Sequence, residues 1–560
     1  MTGYFRKTLC LIRNIIDYIN KNDKFALMFV LIFTICYKLI LVKSDVIFND
    51  SAFYLSYSID LDSAMTYLSK GTAPLYLTAL VSNLFLKLFS AKLLGLRILQ
   101  ILNYLFLFYC VFKLFKRTIP NICIILGCIL SIMVLSNPPL EFNYNDMSVS
   151  MCALSLLLMV KSMEKANLIY IFFSGVIFAL CVFSRLPNVV YLVLTSYVLL
   201  FYNDSRVNIT RYYIIGVLGF LVGIVVVLLL ILLRGDLYNV YDGFLGIVSL
   251  AKDSENSHNT STMFISALNQ VYDVFILFLK NSLVFVFLNY FYKKKYNLLF
   301  VLVGCLFIAK NIHTFLFVKY SVPCLYIVWN TMMLLFVIVN SKECRKTAIL
   351  LLVALYIVPL GSDVYFRGPI VYIFTSVVAP CAFYAIYIAK NTNIAFRLTM
   401  CLYALVVSFA IFVGDLFFDN QASFDDYTQN DIVYSCRECK VLKYVKLDSA
   451  KAAGYSFYID SIKPLCERKT VLVSHFSDLL GAYIIEKNLY NNTPYPWNSK
   501  KHIYKTIIST YEKTKEKPDV LLRKGDMQDI DCPEVKFMKV VGGYSKKWEN
   551  EKYTLFSPEN

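Results

Sequence analysis

A small set of ionisable and aromatic side chains lies at the ends of long apolar stretches. Asp50 and Tyr54 follow the first stretch, Asp146 opens a later one, and Arg185 and Arg367 lie at the ends of two others. A carboxylate can accept a proton from a hydroxyl group or help to hold a divalent metal. An arginine suits a phosphate because its planar fork donates to two oxygens at once. These residue types could therefore serve proton transfer and phosphate binding.

Each of these residues also has a structural interpretation. Asp50 could be a solvated loop aspartate or a helix cap, and Asp146 could cap the helix that follows it. Arg185 and Arg367 could be interfacial anchors whose charged ends reach towards water. Asp45 is a second candidate for the base, and Glu141 is an alternative to Asp146. Which interpretation holds depends on the elements that position these residues.

The composition indicates a membrane protein. Of the 560 residues, 58% are hydrophobic and 17% are charged, whereas soluble domains average about 45–50% and about 25%. The net charge of +17 is concentrated in the first 416 residues, which hold 33 Lys and Arg against 18 Asp and Glu. This excess lies in short loops between apolar runs, which is typical of membrane topology signals. A nucleic-acid partner is therefore not expected.

Thirteen apolar stretches are each read as one membrane-spanning helix, for which about 20 residues are needed. In chain order they are Phe25–Val42, Leu93–Phe115, Asn121–Ser136, Met147–Val160, Leu168–Ser184, Pro187–Tyr202, Tyr212–Leu233, Val274–Tyr292, Asn297–Ala309, Ser321–Asn340, Thr347–Leu360, Pro369–Ala389 and Ala395–Phe417. With a cytoplasmic N-terminus, this number places seven basic segments on the cytoplasmic side.

A fourteenth apolar stretch, Pro74–Ser90, is short and carries Lys87. If it crossed the membrane, the later basic loops would move outside, against the positive-inside rule. We therefore expect it to lie in or dip into the outer interface, within a first outer loop, 43–92, of interfacial helices.

The chain is divided into a membrane domain, residues 1–417, and an extracytoplasmic α/β domain, residues 418–560. In the tail, Lys469–Ser474 and Pro518–Leu522 have buried-strand patterns, and the helical patterns of Ser477–Leu489 and Ile503–Lys517 lie next to them. Alternating strands and helices favour a parallel sheet.

Cysteine spacing gives a weaker signal in the same tail. Cys436 and Cys439 have the spacing of a redox or zinc motif, but no second pair completes a site, so unpaired or structural thiols are favoured. His313 and His475 are isolated in the sequence and are read as structural.

The order of motifs resembles the GT-C superfamily of membrane glycosyltransferases. The first outer loop carries Asp50 and Tyr54 before a Pro-Leu-Tyr entry, as in protein O-mannosyltransferases and the lipid A aminoarabinose transferase. The chain thus resembles glycosyltransferase family 39. Asp146 corresponds to the family's acidic residue in the second outer loop, and Arg185 to its cationic residue at the outer end of the fifth span. The resemblance covers residues 25–205. Ser51 stands where the family usually has Glu.

The resemblance implies a fold, a reaction and a location. We expect a helical membrane protein of about thirteen spans that transfers a sugar from a polyprenyl-phosphate donor to an envelope glycan, lipid or protein acceptor. Asp50 would be the catalytic base, and Asp146 would take part in catalysis by positioning a divalent metal (Mg, Mn or Zn) or the acceptor. Asp50 and Asp146 would be the ligands of such a metal, and Arg185, Tyr54 and Arg367 would bind substrate. The expected location is the bacterial inner membrane, with the chemistry and the tail on the outer face.

Three other functions are weighed against this one. A polysaccharide polymerase or ligase would be expected to keep arginines in a large outer loop, but Arg234–Met263 carries one Arg and one Lys. A transporter or flippase of lipid-linked sugars would place ionisable residues at mid-membrane, where Asp273 and Lys280 are the nearest pair. A structural or sensory protein would show no effect of Asp50 or Asp146 on any transfer reaction.

Overall fold

Most of the described chain is helical. The computed structural model describes residues 2–42, 48–59, 61, 73–134, 140–205, 207–252, 260–317, 322–360, 365–389, 432–435, 439–443, 445–475, 478–490 and 500–559. Apolar sequences form helices in a membrane because lipid offers no hydrogen bonds, so each backbone group must find its partner within the helix.

Fifteen α-helices precede the tail within the described residues. They are α1 Thr2–Lys21, α2 Asp23–Leu41, α3 Phe48–Ile59, α4 Tyr76–Leu86, α5 Lys92–Phe115, α6 Asn121–Val134, α7 Tyr144–Lys165, α8 Leu168–Ser184, α9 Ile209–Leu233, α10 Leu237–Lys252, α11 Thr260–Lys293, α12 Asn297–Phe317, α13 Val322–Asn340, α14 Arg345–Ile357 and α15 Pro369–Ile388. Short 3₁₀ helices at Ala73–Leu75 and Tyr365–Arg367 and a long one at Leu186–Phe201 complete this region.

Among the described residues, six helices are long and apolar enough to cross a membrane, judged by length and composition alone. They are Asp23–Leu41, Lys92–Phe115, Tyr144–Lys165, Ile209–Leu233, Ser261–Lys293 and Pro369–Ile388. The first twelve predicted spans overlap helices in their described parts, and the thirteenth, Ala395–Phe417, lies outside the described residues. The described part of the chain is thus mostly helical with six candidate spans, and the full number of thirteen stays a prediction.

The stretch Pro74–Ser90 forms a 3₁₀ turn followed by the eleven-residue helix α4. At 1.5 Å per residue, such a helix is about 16 Å long, roughly half the thickness of a hydrocarbon core. Most of its side chains are buried among neighbouring helices. That this stretch lies in or dips into the outer interface stays a prediction.

Helices α8 and α9 approach each other closely at glycines. A Cβ on Gly175 would lie 2.2 Å from the carbonyl oxygen of Gly216, and one on Gly219 would lie 2.0 Å from that of Phe172. Neither contact leaves room for a side chain. Small residues allow the two backbones to approach this closely, and the close approach adds dispersion contacts between the helices. Such contacts matter in lipid, because burying apolar side chains there does not by itself drive helices together.

The tail carries two sheets. Strands β1 Ile432–Ser435 and β2 Lys446–Asp448 pair antiparallel, and β3 Thr470–Val473, β4 Asn488–Leu489, β5 Asp519–Arg523, β6 Tyr544–Glu549 and β7 Tyr553–Pro558 form a five-stranded sheet of order β4-β3-β5-β7-β6. Its helices are α16 Ser449–Phe457, α17 Leu479–Ile484, α18 Lys500–Thr514, α19 Lys524–Met527 and α20 Pro533–Val541.

Two expectations for the tail were wrong in detail. The five-stranded sheet is mixed rather than parallel, because β3 runs parallel to β4 and β5 while β7 pairs antiparallel with β5 and β6. The helix expected over Ser477–Leu489 is shorter and is followed by β4. The left-handed backbone of Glu486, with a φ of 61°, lies just after this helix and favours its end.

One apolar core extends from the tail to helix α3. It joins Ala52, Leu55 and Tyr57 of α3 to Leu479 and Leu480 of α17. A backbone hydrogen bond of 3.4 Å from the Leu93 N–H to the Val441 carbonyl, and an ion pair between Lys513 and Asp242 at 2.6 Å, add polar contacts. The tail therefore packs directly on the helix that carries Asp50 and Tyr54. The expected domain boundary near 417 lies outside the described residues.

Candidate functional site

Helix α3 positions the first two predicted site residues. Asp50 lies in its first turn, and its side chain is outside the described part of the structure. Tyr54, one helical turn later, is 3% exposed. Residues four apart lie on the same side of a helix, so the backbone places Asp50 directly before Tyr54 along one face.

Tyr54 and Arg185 meet through a tyrosine that the sequence motifs do not single out. Tyr144, the first residue of α7, packs edge-on against Tyr54 with the ring centroids 6.3 Å apart. On the same ring, Cζ of Arg185 lies 5.9 Å from the centroid, within the range of a cation–π contact. The structure thus connects α3, the start of α7 and the end of α8 into one aromatic and cationic cluster.

Arg185 is buried at the end of α8 rather than exposed at the membrane surface. It is 5% exposed, and its Nη1 is buried without a hydrogen-bond partner in the described part of the chain. No described carboxylate forms an ion pair with it. A buried cation that pairs with no carboxylate is costly unless another anion binds there. Since no described carboxylate pairs with Arg185, this side chain is suited to hold a negatively charged ligand.

The residues around Arg185 fix its backbone. The Arg185 N–H donates to the Cys181 carbonyl at 3.3 Å, and the Arg185 carbonyl accepts from the Asn188 N–H at 2.9 Å. The Asn188 side chain donates to Ser148 Oγ on α7 and to the Cys181 carbonyl, both at 2.8 Å. These hydrogen bonds therefore fix the backbone from which the Arg185 side chain extends, between α7 and α8.

Asp146 is the centre of a buried hydrogen-bond network. It is fully buried, and its Oδ1 accepts from the Tyr104 hydroxyl at 2.8 Å. Its Oδ2 accepts from Gln100 Nε2 at 3.2 Å and from the Asn143 N–H at 3.1 Å. Asn143 caps α7, so Asp146 completes a capping box. The helix-end interpretation of Asp146 matches this geometry.

The metal role expected for Asp146 stays a prediction. Among the described contacts its Oδ1 accepts one hydrogen bond and its Oδ2 accepts two, and a ligand that displaced any of these donors would leave it buried and unpaired. Among the described residues there is no group of three or more His, Cys, Asp or Glu side chains that could hold a metal ion. Cys439 is buried, and Cys436 lies outside the described residues.

Two buried cations near this network, Arg97 and Lys38, were missed as site residues. Arg97 donates through Nε and Nη2 to Glu141 Oε1 at 3.0 and 2.9 Å and through Nη1 to the Val42 carbonyl at 3.0 Å. Lys38 of α2 lies 4.7 Å from the Tyr104 ring centroid. Lys38 and Arg97 fall inside predicted spans, and a charge inside a span is itself a signal that could have found them. Glu141, the alternative to Asp146, is the ion-pair partner of Arg97.

Arg367 lies in a different group of residues. It is about half exposed and pairs with Asp273 of α11 at 3.4 Å. No described contact joins it to Tyr54, Tyr144 or Arg185. The reserve base Asp45 lies outside the described residues.

A second polar network lies in the tail beside α3. Asp478, at the start of α17, accepts from Arg523 at 2.8 and 2.9 Å, from Tyr458 at 2.9 Å and from Tyr553 at 3.0 Å. Asp478 is 4% exposed, so this fork-to-carboxylate pair is largely shielded from water. It fixes the end of the helix that packs against α3.

Part of the chain matches a known family of sugar transferases. The family model for dolichyl-phosphate-mannose-protein mannosyltransferases matches residues 73–232. The predicted resemblance to GT-C membrane glycosyltransferases is confirmed. The matched region contains Tyr144, Asp146 and Arg185, whereas Asp50 and Tyr54 precede it. Together with the apolar helices, the match supports a membrane glycosyltransferase of the GT-C type.

Two crystal structures of the Archaeoglobus fulgidus oligosaccharyltransferase are also similar. The complex with Zn and sulfate has a TM-score of 0.48 and 10% identity, covering 95% of this chain and 73% of the other. The form tethered through a disulfide bond to an acceptor peptide containing the NVT sequon has a TM-score of 0.46 and 11% identity, covering 96% and 74%. Similarities at this level transfer no residue role to this chain. No curated protein matches the chain.

Proposed function

We propose that this protein transfers a sugar from a polyprenyl-phosphate-linked donor to a polar acceptor at the outer face of a bacterial inner membrane. The observation that carries this proposal is the buried Arg185, whose Nη1 has no hydrogen-bond partner in the described chain and which lies against Tyr144 and Tyr54. The region that holds it matches a family of sugar transferases. The acceptor is an envelope glycan, a lipid or a protein.

Asp50 is the proposed general base. The acceptor hydroxyl attacks the anomeric carbon of the donor, the bond from that carbon to the phosphate oxygen breaks, and Asp50 takes the hydroxyl proton. Its position one turn before Tyr54 supports this role, because Tyr54 contacts the ring that also contacts Arg185. A positioned base contributes a rate factor of about 10²–10⁴.

Arg185 is proposed to bind the phosphate that leaves with the polyprenyl chain. The charge on this phosphate increases as the sugar departs, so a fixed cation stabilises the transition state more than the ground state. Tyr144 holds the guanidinium from one side and Tyr54 holds Tyr144. The apolar spans around the cluster would accommodate the polyprenyl chain.

Asp146 is proposed to act by position rather than by contact with substrate. Its network fixes the first turn of α7, and Tyr144 is the first residue of that turn. No step of the proposed reaction passes through a metal ion. The tail packs on α3 and is proposed to support that helix or to recognise the acceptor.

Release of polyprenyl phosphate tests the proposal whichever acceptor the protein uses. Membranes containing the full chain are incubated with polyprenyl-phosphate hexoses and pentoses, and both the lost sugar and the released lipid phosphate are measured. We expect Asp50→Asn to lower turnover by about 10²–10⁴-fold with donor binding retained. Arg185→Ala should weaken donor binding as well as turnover, and Arg185→Lys should restore only part of it, since Lys lacks the fork.

The substrate-binding role expected for Arg367 from the sequence is not part of this proposal, because Arg367 lies outside the Tyr54–Tyr144–Arg185 cluster and pairs with Asp273. Arg367→Ala is therefore the matched arginine control. It should keep turnover near the wild-type rate. Near-normal release by Asp50→Asn would move the base to Asp45. If no donor is consumed by the wild-type protein, or if Arg185→Ala behaves like Arg367→Ala, the proposed function is wrong.

A further inference from the structure

Helix α1 is an amphipathic helix whose apolar face is left uncovered by the rest of the described protein. Leu11, Ile12, Ile15 and Tyr18 are 60%, 47%, 49% and 56% exposed. At 100° per residue these four positions lie within one third of the helix circumference. Four large apolar side chains on one side of a helix need an apolar environment.

The opposite side of α1 is polar and basic. The helix contains four basic residues, Arg6, Lys7, Arg13 and Lys21, and a single acidic residue, Asp17. The angular positions of all five fall in the half of the helix circumference that holds no apolar side chain of Tyr, Phe, Leu or Ile. A sharp division into apolar and basic halves, in a helix that is not apolar all round, is typical of a helix that lies in a membrane interface.

The structure places α1 at the end of the candidate spans. Asn22, whose backbone is non-helical, separates α1 from the candidate span α2, and its side chain caps α2 through the Phe25 N–H at 3.0 Å. Asn121 at the start of α6 donates to the Ile19 carbonyl at 3.1 Å, and Asn20 Oδ1 accepts from the Ile122 N–H at 3.0 Å. The C-terminal end of α1 is thus fixed where two helices enter the bundle.

Further basic residues lie at the same end of the bundle. Lys116 pairs with Asp23 at 3.8 Å, and Arg117 pairs with Glu164 at 4.0 Å. Because both of these cations are paired with carboxylates, the excess positive charge at this end comes from α1 itself, with four basic residues against one acidic residue beside the uncovered apolar strip. A bilayer with anionic headgroups matches both features. Its acyl chains can cover the apolar strip, and its negatively charged headgroups can bind the basic side chains.

We infer that α1 lies in the plane of the membrane interface and binds an anionic lipid surface. Leu11, Ile12, Ile15 and Tyr18 insert between the lipid headgroups and the acyl chains, and Arg13 and Lys21 contact anionic headgroups. This surface is separate from the Tyr54–Tyr144–Arg185 cluster and does not depend on the proposed reaction.

Fluorescence quenching by brominated lipids in nanodiscs tests the insertion of α1. The full chain carries three native Trp residues, so the signal of a new Trp is obtained by subtracting the wild-type signal. Ile15→Trp places the reporter on the apolar side, and Asn14→Trp places a matched reporter on the polar side. We expect bromines near the glycerol end of the acyl chains to quench Ile15→Trp at least threefold more strongly than Asn14→Trp. Equal quenching would overturn the inference.

The preference for anionic lipid is tested by native mass spectrometry of the full chain from mixed phosphatidylcholine and phosphatidylglycerol membranes. Arg13→Gln combined with Lys21→Gln should lower the number of retained phosphatidylglycerol molecules. The matched control, Lys546→Gln with Lys547→Gln, removes two partly exposed tail cations and should not. Unchanged lipid retention would overturn the inference. A protein dimer together with an unquenched Ile15→Trp would assign the apolar face to a second copy instead.

Discussion

Replacing Asp146 tests whether this residue holds the site together or touches the reactants. Its carboxylate accepts from three buried donors, the Tyr104 hydroxyl, Gln100 Nε2 and the Asn143 N–H. In Asp146→Ala these donors lose their acceptor, and each unsatisfied buried donor costs about 1–3 kcal/mol. Removing a buried carboxylate also relieves its desolvation cost. We therefore expect a loss near the lower end of the sum, about 3 kcal/mol of unfolding free energy.

A double-mutant cycle with Tyr104→Phe isolates the network. Tyr104→Phe removes one neutral-to-charged hydrogen bond and should cost about 1.5 kcal/mol. Because Tyr104 and Asp146 share that bond, the double variant should be more stable than the two separate losses predict, by about 1 kcal/mol. Unfolding of the full chain in a mild detergent gives these values. Transfer activity is then normalised to the folded protein, with divalent metal varied from none to excess.

A positioning role predicts that activity falls together with stability in both variants and that metal affects neither response. The reasoning would be refuted if Asp146→Ala unfolded within about 0.5 kcal/mol of wild type, the usual limit for a surface change, while transfer was abolished. Such a result would mean that Asp146 contacts substrate or metal.

Three other outcomes follow from buried groups. Arg97→Met should cost about 3–5 kcal/mol of unfolding free energy because it leaves Glu141 buried and unpaired, and pairing it with Glu141→Leu should recover most of that loss when both variants are unfolded in detergent. Gly219→Ala should destabilise the α8–α9 contact, because its Cβ would lie 2.0 Å from a carbonyl oxygen. In the matched Gly216→Ala variant the nearest atom to the Cβ is 3.5 Å away, so this change should be tolerated. Similar melting temperatures for the two variants would contradict this packing. Burial raises the pKa of Glu534 from 4.5 to about 7, so folding favours its protonated form. That contribution is complete below pH 4.5 and is lost as pH rises through 7. Glu534→Gln should therefore make the tail more stable than wild type at pH 8, by up to about 3 kcal/mol, and proteolysis of the full chain across this pH range would show no difference if Glu534 stays ionised.

The local sequence pattern was enough to predict where the helices lie and which type of reaction is expected. Runs such as Leu93–Phe115 and Pro369–Ala389 can satisfy their backbone in a membrane only as helices, so apolar length alone predicts them. The strand pattern at Lys469–Ser474 likewise needed only a short buried run. The motif order around Asp146 and Arg185 was sufficient to indicate a sugar transferase, and the family match over residues 73–232 agrees with it.

Only the tertiary structure shows which of those side chains lie in contact with one another. Sequence spacing cannot show that Tyr144 would lie between Tyr54 and Arg185, because these residues come from three segments whose approach depends on packing. Sequence spacing also cannot show that both carboxylate oxygens of Asp146 accept hydrogen bonds, from side chains of α5 and from the backbone at the start of α7. An aspartate that binds a metal and an aspartate that caps a helix are the same residue type in the sequence. Only the positions of the surrounding donors distinguish them, and those positions are set by how the helices pack.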